Sequence, residues 1–215
     1  MARLPFYHPT QSKESGGASV KIALRNYRHT DFETLHRIDQ ACYASDTAYS
    51  RAELGTYLGF RGAECVVAEV ATDADAAAAN NRAQDSSQNA ARIIGFSISA
   101  RRGDHGHIIT MDVLEEFRRS GIGSALLAEI EKRLVAAGVQ RVGLETATDN
   151  EAGIAFWRRH GYVSVGVKKG YYAGRRDAYY MTKAVSPEAK PAGPEPGTPH
   201  ARTGRKRLAN SNRKR

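Results

Sequence analysis

Residues 117–127 read FRRSGIGSALL. They follow an extended apolar stretch, HIITMDVL (107–114), and open a run from about 121 to 137 with Ile122, Leu126, Leu127, Ile130 and Leu134 at helical spacing. A strand that turns through a bare, basic corner into the longest helix points to an α/β arrangement. The start of a helix has unpaired N–H groups and a partial positive charge. Gly121 and Gly123 let an anion reach the main chain with no Cβ in the way, and Arg118 and Arg119 add charge. Such a corner suits a phosphate or diphosphate, and each N–H bond to a charged acceptor is worth about 1.5–3 kcal/mol. The Walker pattern fails for want of a lysine. The dinucleotide pattern fails because Leu126 stands where its third glycine belongs. By spacing alone, a plain βα turn with surface arginines is an equally good reading.

The rest of the chain falls into the same alternation. VKIALRNY (20–27) reads as a strand, and Thr30 and Asp31 can cap a helix through about Tyr43. Ser50 with Glu53 three residues later is a capping box for RAELGTYLGF. CVVAEV (65–70) and RIIGFSISA (92–100) read as strands, and the RRGDHG turn leads into HIITMDVL. Glu129 and Arg133 form an exposed i,i+4 pair on the long helix, which Gly138 stops. RVGLETA (141–147) is a strand, Asn150–His160 a helix ended by Gly161, and YVSVGV (162–167) and DAYYMTK (177–183) are the closing strands. The order β-α-α-β-β-β-α-β-α-β-β implies α/β (α+β) architecture: a mixed, mostly antiparallel twisted sheet of about seven strands with helices on both faces.

Three stretches are too poor in large apolar residues to offset chain entropy: 1–18, the Ala/Asn-rich 71–91 that inflates a hairpin loop, and 185–215, which is Pro-rich and then basic. The ordered domain is therefore expected over 19–184. The tail supplies much of the net charge of +9: eight of the 32 Lys/Arg and only two of the 23 Asp/Glu lie in 185–215. Its terminal basic run suits non-specific RNA contact through phosphates, or simply a solubilising end. No apolar run is long enough for a membrane span, and the first residues lack a signal-peptide core, so a cytoplasmic location and no membrane partner are expected. Cys42 and Cys65 lack metal or redox spacing and read as reduced, buried thiols.

Arg118-x-x-Gly121-x-Gly123 after the strand ITMDV resembles the acetyl-CoA diphosphate loop of the GNAT N-acetyltransferases. Downstream, LETATDNEAGIAFWRRHGYVSVGVKKGYY is similar to the second half of the RimI-like group, which acetylates the N-terminal alanine of a ribosomal protein; Glu145, Asn150, Ala155, Gly161 and Tyr162 carry that match. The resemblance covers roughly residues 20–183. It implies that main-chain groups of Met111, Asp112 and Val113 hold the acetyl carbonyl and pantetheine arm. It implies that amides from Arg119 through Ser120, Gly121, Ile122 and Gly123 to Ser124, beside Arg118, take the diphosphate. Asn150 would contact the pantetheine near the thiol, and Glu145 would be the general base, through water.

The chemistry agrees with that last role. An α-amine with a pKa near ~8 costs about 1 kcal/mol to neutralise at pH 7, against about 4.6 for a lysine, so one carboxylate suffices for an N-terminal substrate. One position departs from the RimI-like pattern. Twelve residues after the glutamate, where that group has a tyrosine thought to protonate the departing thiolate, this chain has Trp157. The indole would border the cofactor but is not a usable acid. Tyr162, Tyr171 and Tyr172 are the candidate phenols, and Tyr172 is chosen because the GYY segment borders the substrate in the family. Asp104, His105 and His107 read as a polar turn, and no metal is expected. Lys168 and Lys169 read as a solvated loop or as the rim of an acceptor site, and no role is assigned to Arg158, Arg159 or His160 beyond ending a helix.

The resulting expectation is an acetyl-CoA-dependent N-acetyltransferase acting on a protein N-terminal α-amine, a ribosomal protein among the candidates, by direct attack on the thioester. The alternatives are a small-molecule amine or lysine as acceptor, or a non-catalytic CoA-binding or RNA-associated module. A monomer or weak dimer is expected.

Overall fold

The computed structural model describes residues 22–44, 47–70, 92–187 and 189. Seven strands, β1 (Ile22–Asn26), β2 (Ala63–Val70), β3 (Arg92–Arg102), β4 (His105–Val113), β5 (Arg141–Ala147), β6 (Val163–Tyr172) and β7 (Arg176–Ala184), form one sheet in the order β1-β2-β3-β4-β5-β7-β6. Four helices, α1 (Phe32–Cys42), α2 (Arg51–Leu58), α3 (Ile122–Ala136) and α4 (Glu151–Arg159), connect them. The pairings are antiparallel except for β4 with β5. The mixed sheet, its strand number and the element order are those the sequence implies.

The apolar pattern of each element explains its layer. On α3, Ile122, Leu126, Leu127, Ile130 and Leu134 are buried against Val66, Ala68, Ile94 and Ile108. Each such side chain is worth about 1.5–3 kcal/mol of burial. On the opposite face, Leu35 and Ile38 of α1 and Leu54 and Tyr57 of α2 cover Val67, Phe96 and Ile98. The predicted capping box is present: the Ser50 N–H donates to Glu53 Oε2 at 2.8 Å, and the Glu53 N–H donates to Ser50 Oγ at 3.3 Å.

Several local expectations change. Before α1 the chain makes a 3₁₀ turn over His29–Asp31, and the Asp31 carboxylate does not cap the helix. It accepts from Arg25 Nη1 at 2.7 Å and from the Arg28 N–H at 2.7 Å, because the ion pair offers a stronger donor than a helix amide. Glu129 and Arg133 do pair, at 2.9 Å, but both side chains are largely covered rather than exposed. The solvated loop considered at Lys168 and Lys169 is strand, since both lie within β6, although the pairing with β7 shifts register between Lys168 and Tyr172. Val70 pairs with Arg92, so 71–91 joins two antiparallel neighbours as a hairpin insertion must; that segment, residues 1–18 and nearly all of the tail lie outside the described residues. Among the described residues no helix is long and apolar enough to cross a membrane.

Two irregularities in β4 shape the site. The β4–β5 ladder holds only His105↔Arg141, Gly106↔Val142 and His107↔Gly143, and beyond it the strands are no longer paired. On its other edge the β3 register steps from Ile98↔Thr110 to Ser99↔Ile108, leaving Ile109 as a bulge.

Candidate active site

A cavity of about 1190 Å³ opens where β4 and β5 part, walled by α1, β4, the α3 start, β5, α4 and the end of β6. The α3 start contributes Arg118, Arg119, Gly121, Gly123 and Ser124. Gly121 is the residue before the helix and has φ +90°, a left-handed conformation natural to glycine, and a Cβ there would meet nothing within 4 Å. Arg119 also has a positive φ, +63°, uncommon for a non-glycine residue. The corner is therefore bent so that the first turn of α3 stays uncovered, as an anion cradle needs. Gly123 serves differently: its bare side faces the Phe156 ring, and a Cβ would lie 3.3 Å from that ring. The Ile122 side chain is core, so only its main chain faces the turn.

Arg118 turns back on the end of β4, donating from Nε to the Val113 carbonyl at 2.9 Å, and Cys42 Sγ shares that oxygen at 3.4 Å. Met111 is half-buried against the α3 cluster, whereas the Asp112 carboxylate is buried on the α1 face and accepts from Thr110 Oγ1 at 2.7 Å. The Ser120 hydroxyl is occupied locally by the Phe117 carbonyl, at 2.5 Å. Asn150 caps α4: its Oδ1 accepts from the Gly153 N–H at 3.0 Å and its Nδ2 donates to Thr146 Oγ1 at 3.3 Å. Trp157 lines the cavity but is 9 % exposed, packed edge-on between Phe156 and Tyr162 at centroid distances of 4.9 and 5.4 Å.

Glu145 lies on β5, and its side chain is 4 % exposed. Both carboxylate oxygens are held. Oε1 accepts from Lys168 Nζ at 2.7 Å; Oε2 accepts from the Tyr171 hydroxyl at 3.1 Å and faces His107 Nε2 at 3.0 Å. Burial alone would push this carboxyl up; the hydrogen bond and charge of His107, then those of Lys168, outweigh burial and hold it at about 2. The Lys168 ammonium also lies over the Tyr171 and Tyr180 rings at 5.3 and 5.0 Å. The Tyr171 phenol is pushed well up by burial and then by the Glu145 charge, so it stays protonated.

Of the three candidate phenols, the hydroxyl on the Glu145 carboxylate is that of Tyr171. Tyr172 is buried, with its hydroxyl 3.5 Å from the Glu145 main-chain carbonyl, and Tyr162 donates at 2.9 Å to Glu131 on α3. His107, grouped by sequence with a polar turn although it opens the predicted strand 107–114, is a strand residue that reaches the site; the turn holds only Gly103 and Asp104, and His105, the first residue of β4, pairs with Asp104 at 2.6 Å. No signal near His107 in the chain marks it, because its partner is 38 positions away and is reached only through the short parallel ladder. Cys42 and Cys65 are free thiols, and burial pushes the Cys42 thiol up to about 11.

Comparison with known proteins fits this geometry. A 37 % identical stretch of 81 residues relates the chain to an N-alpha-acetyltransferase of Saccharolobus solfataricus, covering 37 % of this chain and 48 % of that protein. The Escherichia coli ribosomal protein bS18-alanine N-acetyltransferase is 29 % identical over 98 residues, 44 % of this chain and 66 % of its own length. The chain thus spans about half the length of the first of these curated relatives and less than two thirds of the second. Among solved structures, the Escherichia coli ribosomal-protein-S18-alanine N-acetyltransferase shares the fold with a TM-score of 0.62 at 20 % identity, over 80 % of this chain and 99 % of that one. The family profile described as Acetyltransferase (GNAT) family matches residues 34–162, more than half of the chain, and the chain belongs to that family.

Proposed function

We propose that this protein transfers an acetyl group from acetyl-CoA to the α-amine of a protein N-terminus. The observation that carries the reading is one continuous cavity that joins the uncovered start of α3 to the Glu145–His107 pair. The residues fit the cofactor: exposed Arg118 and Arg119, Gly121 with open space beside it and a first helical turn free of capping side chains suit a diphosphate. Acetyl-CoA, when bound, supplies an acetyl thioester. Main-chain groups of Met111 to Val113 and the capping Asn150 would lie along its arm. Trp157 forms an apolar wall that excludes water.

The proton acceptor follows from the hydrogen bonds. A carboxylate held at about 2 with both oxygens occupied is a weak base. Its task is to orient His107: Nε2–H donates to Glu145 Oε2, which leaves Nδ1 as the lone-pair nitrogen. His107 Nδ1 would take the proton that the acceptor amine loses on acetylation, and the departing group would be the thiolate of coenzyme A. Tyr171 and Tyr172 are the neighbouring phenols, and Tyr171 keeps its proton on the carboxylate. An α-amine matches an imidazole base, whereas a lysine costs roughly 3–4 kcal/mol more to neutralise. The relatives named as N-alpha-acetyltransferases support the same acceptor class, and the bS18-alanine enzyme makes a ribosomal protein N-terminus a natural member of a test panel.

The test is free-thiol release from acetyl-CoA with peptides that have a free N-terminus, with the same peptides blocked at the N-terminus but carrying a lysine, and with small amines. Release confined to the free α-amines is the expected result. Release with none of them ends the catalytic reading, and equal release with lysine or small amines ends the acceptor assignment.

A further inference from the structure

His160 sits behind the diphosphate cradle rather than in it. It follows the last turn of α4, is half-buried and makes two ring hydrogen bonds: Nδ1 to the Phe156 carbonyl at 2.8 Å and Nε2 to Ser124 Oγ in the first turn of α3 at 2.9 Å. Its ring lies against Phe156, 4.3 Å between centroids, and Phe156 in turn packs on the bare side of Gly123. The imidazole is therefore held in place against the cradle by packing as well as by hydrogen bonds.

A carbonyl can only accept, so Nδ1 carries a proton in either charge state. In the neutral ring Nε2 is then the acceptor, and the Ser124 hydroxyl must donate to it. In the protonated ring Nε2–H donates to Ser124 Oγ, and the hydroxyl hydrogen is free to turn into the cavity that Ser124 lines. Protonation thus adds a donor to the cradle and a positive charge behind the helix start. The other charged groups on the packed elements are settled elsewhere or point the same way. On α3, Glu129 is paired with Lys132 and Arg133, and Glu131 is engaged by Lys183 Nζ at 2.6 Å and by Tyr162; on α4, Glu151 lies in the first turn, at the opposite end from His160, and Arg158 and Arg159 in the last turn are cationic.

We propose that His160 is a positioning residue for the cofactor diphosphate, and that its protonation strengthens coenzyme A binding by releasing the Ser124 hydroxyl. The proposal rests on the placement of the diphosphate at the α3 start. Its sign is fixed: protonation of His160 raises affinity, and binding takes up a proton.

The test is calorimetric binding of dephospho-CoA to the full chain between about pH 5 and pH 8. This ligand lacks the 3′-phosphate, whose own ionisation falls in that range, and its diphosphate charge stays constant there. Wild-type affinity should rise about tenfold toward the acid end, the effect of one added hydrogen bond to a charged acceptor. The enthalpies in buffers of different ionisation heat should show proton uptake. His160→Leu should flatten the dependence, and Ser124→Ala, which keeps the imidazole, its charge and its packing, should remove most of it. Tight binding with no pH dependence, or a dependence that persists in both variants, overturns the role of His160 while the cofactor site stands. No binding of dephospho-CoA or coenzyme A at any pH overturns the cofactor site itself.

Discussion

His107 Nε2 lies 3.0 Å from Glu145 Oε2, at the end of the β4–β5 ladder, whose last pair is His107 with Gly143. An imidazole and a carboxylate thus share a hydrogen bond at the mouth of the only parallel junction in the described sheet, with a lysine and a tyrosine on the same carboxylate.

That arrangement makes His107 the group whose loss matters most to proton transfer. His107→Ala should lower kcat at least about 100-fold, in the range typical of a general base, with coenzyme A affinity unchanged. Added imidazole should restore part of the rate. Steady-state kinetics with and without imidazole check this, and an unchanged rate in His107→Ala would remove the residue from the reaction.

The Glu145 carboxyl is depressed from an ordinary 4.5 to about 2, so it contributes stability that is fully present above about 4.5 and is lost as pH falls toward 2. Glu145→Gln removes that contribution at neutral pH. Urea unfolding at a series of pH values should show the variant less stable than wild type at pH 7 and the two converging as pH approaches 2. Parallel curves across that window would mean the carboxylate is not held as the geometry indicates.

The two glycines of the cradle should fail differently. Gly121→Ala meets no atom but must keep a left-handed backbone, which costs roughly 1–2 kcal/mol. It should lower stability by that amount and loosen coenzyme A. Gly123→Ala puts a methyl 3.3 Å from the Phe156 ring, so it should shift α4 against α3 and perturb His160 with little backbone strain. Thermal melts together with the chemical shifts of the His160 ring separate the two; identical responses would mean one shared cause.

The sequence by itself determined the order of elements, the Ser50–Glu53 cap, the buried stripe of α3 and the bare corner at its start. Each is written in residues no more than one or two helical turns apart, where 3.6-residue periodicity and glycine geometry act locally. Only the tertiary structure decided which polar groups meet. Period-two alternation puts His107, Ile109 and Met111 on one face of β4, but the bulge at Ile109 breaks that parity: Ile109 packs with the α1–α2 cluster and Met111 with the α3 cluster. Likewise, the short β4–β5 ladder sets His107 beside Glu145, and the β6–β7 register shift between Lys168 and Tyr172 accompanies the placement of Lys168 and Tyr171, three residues apart, on one carboxylate. Because a slip of one residue turns every side chain of a strand to the other face, register depends on long-range pairing that local sequence does not encode.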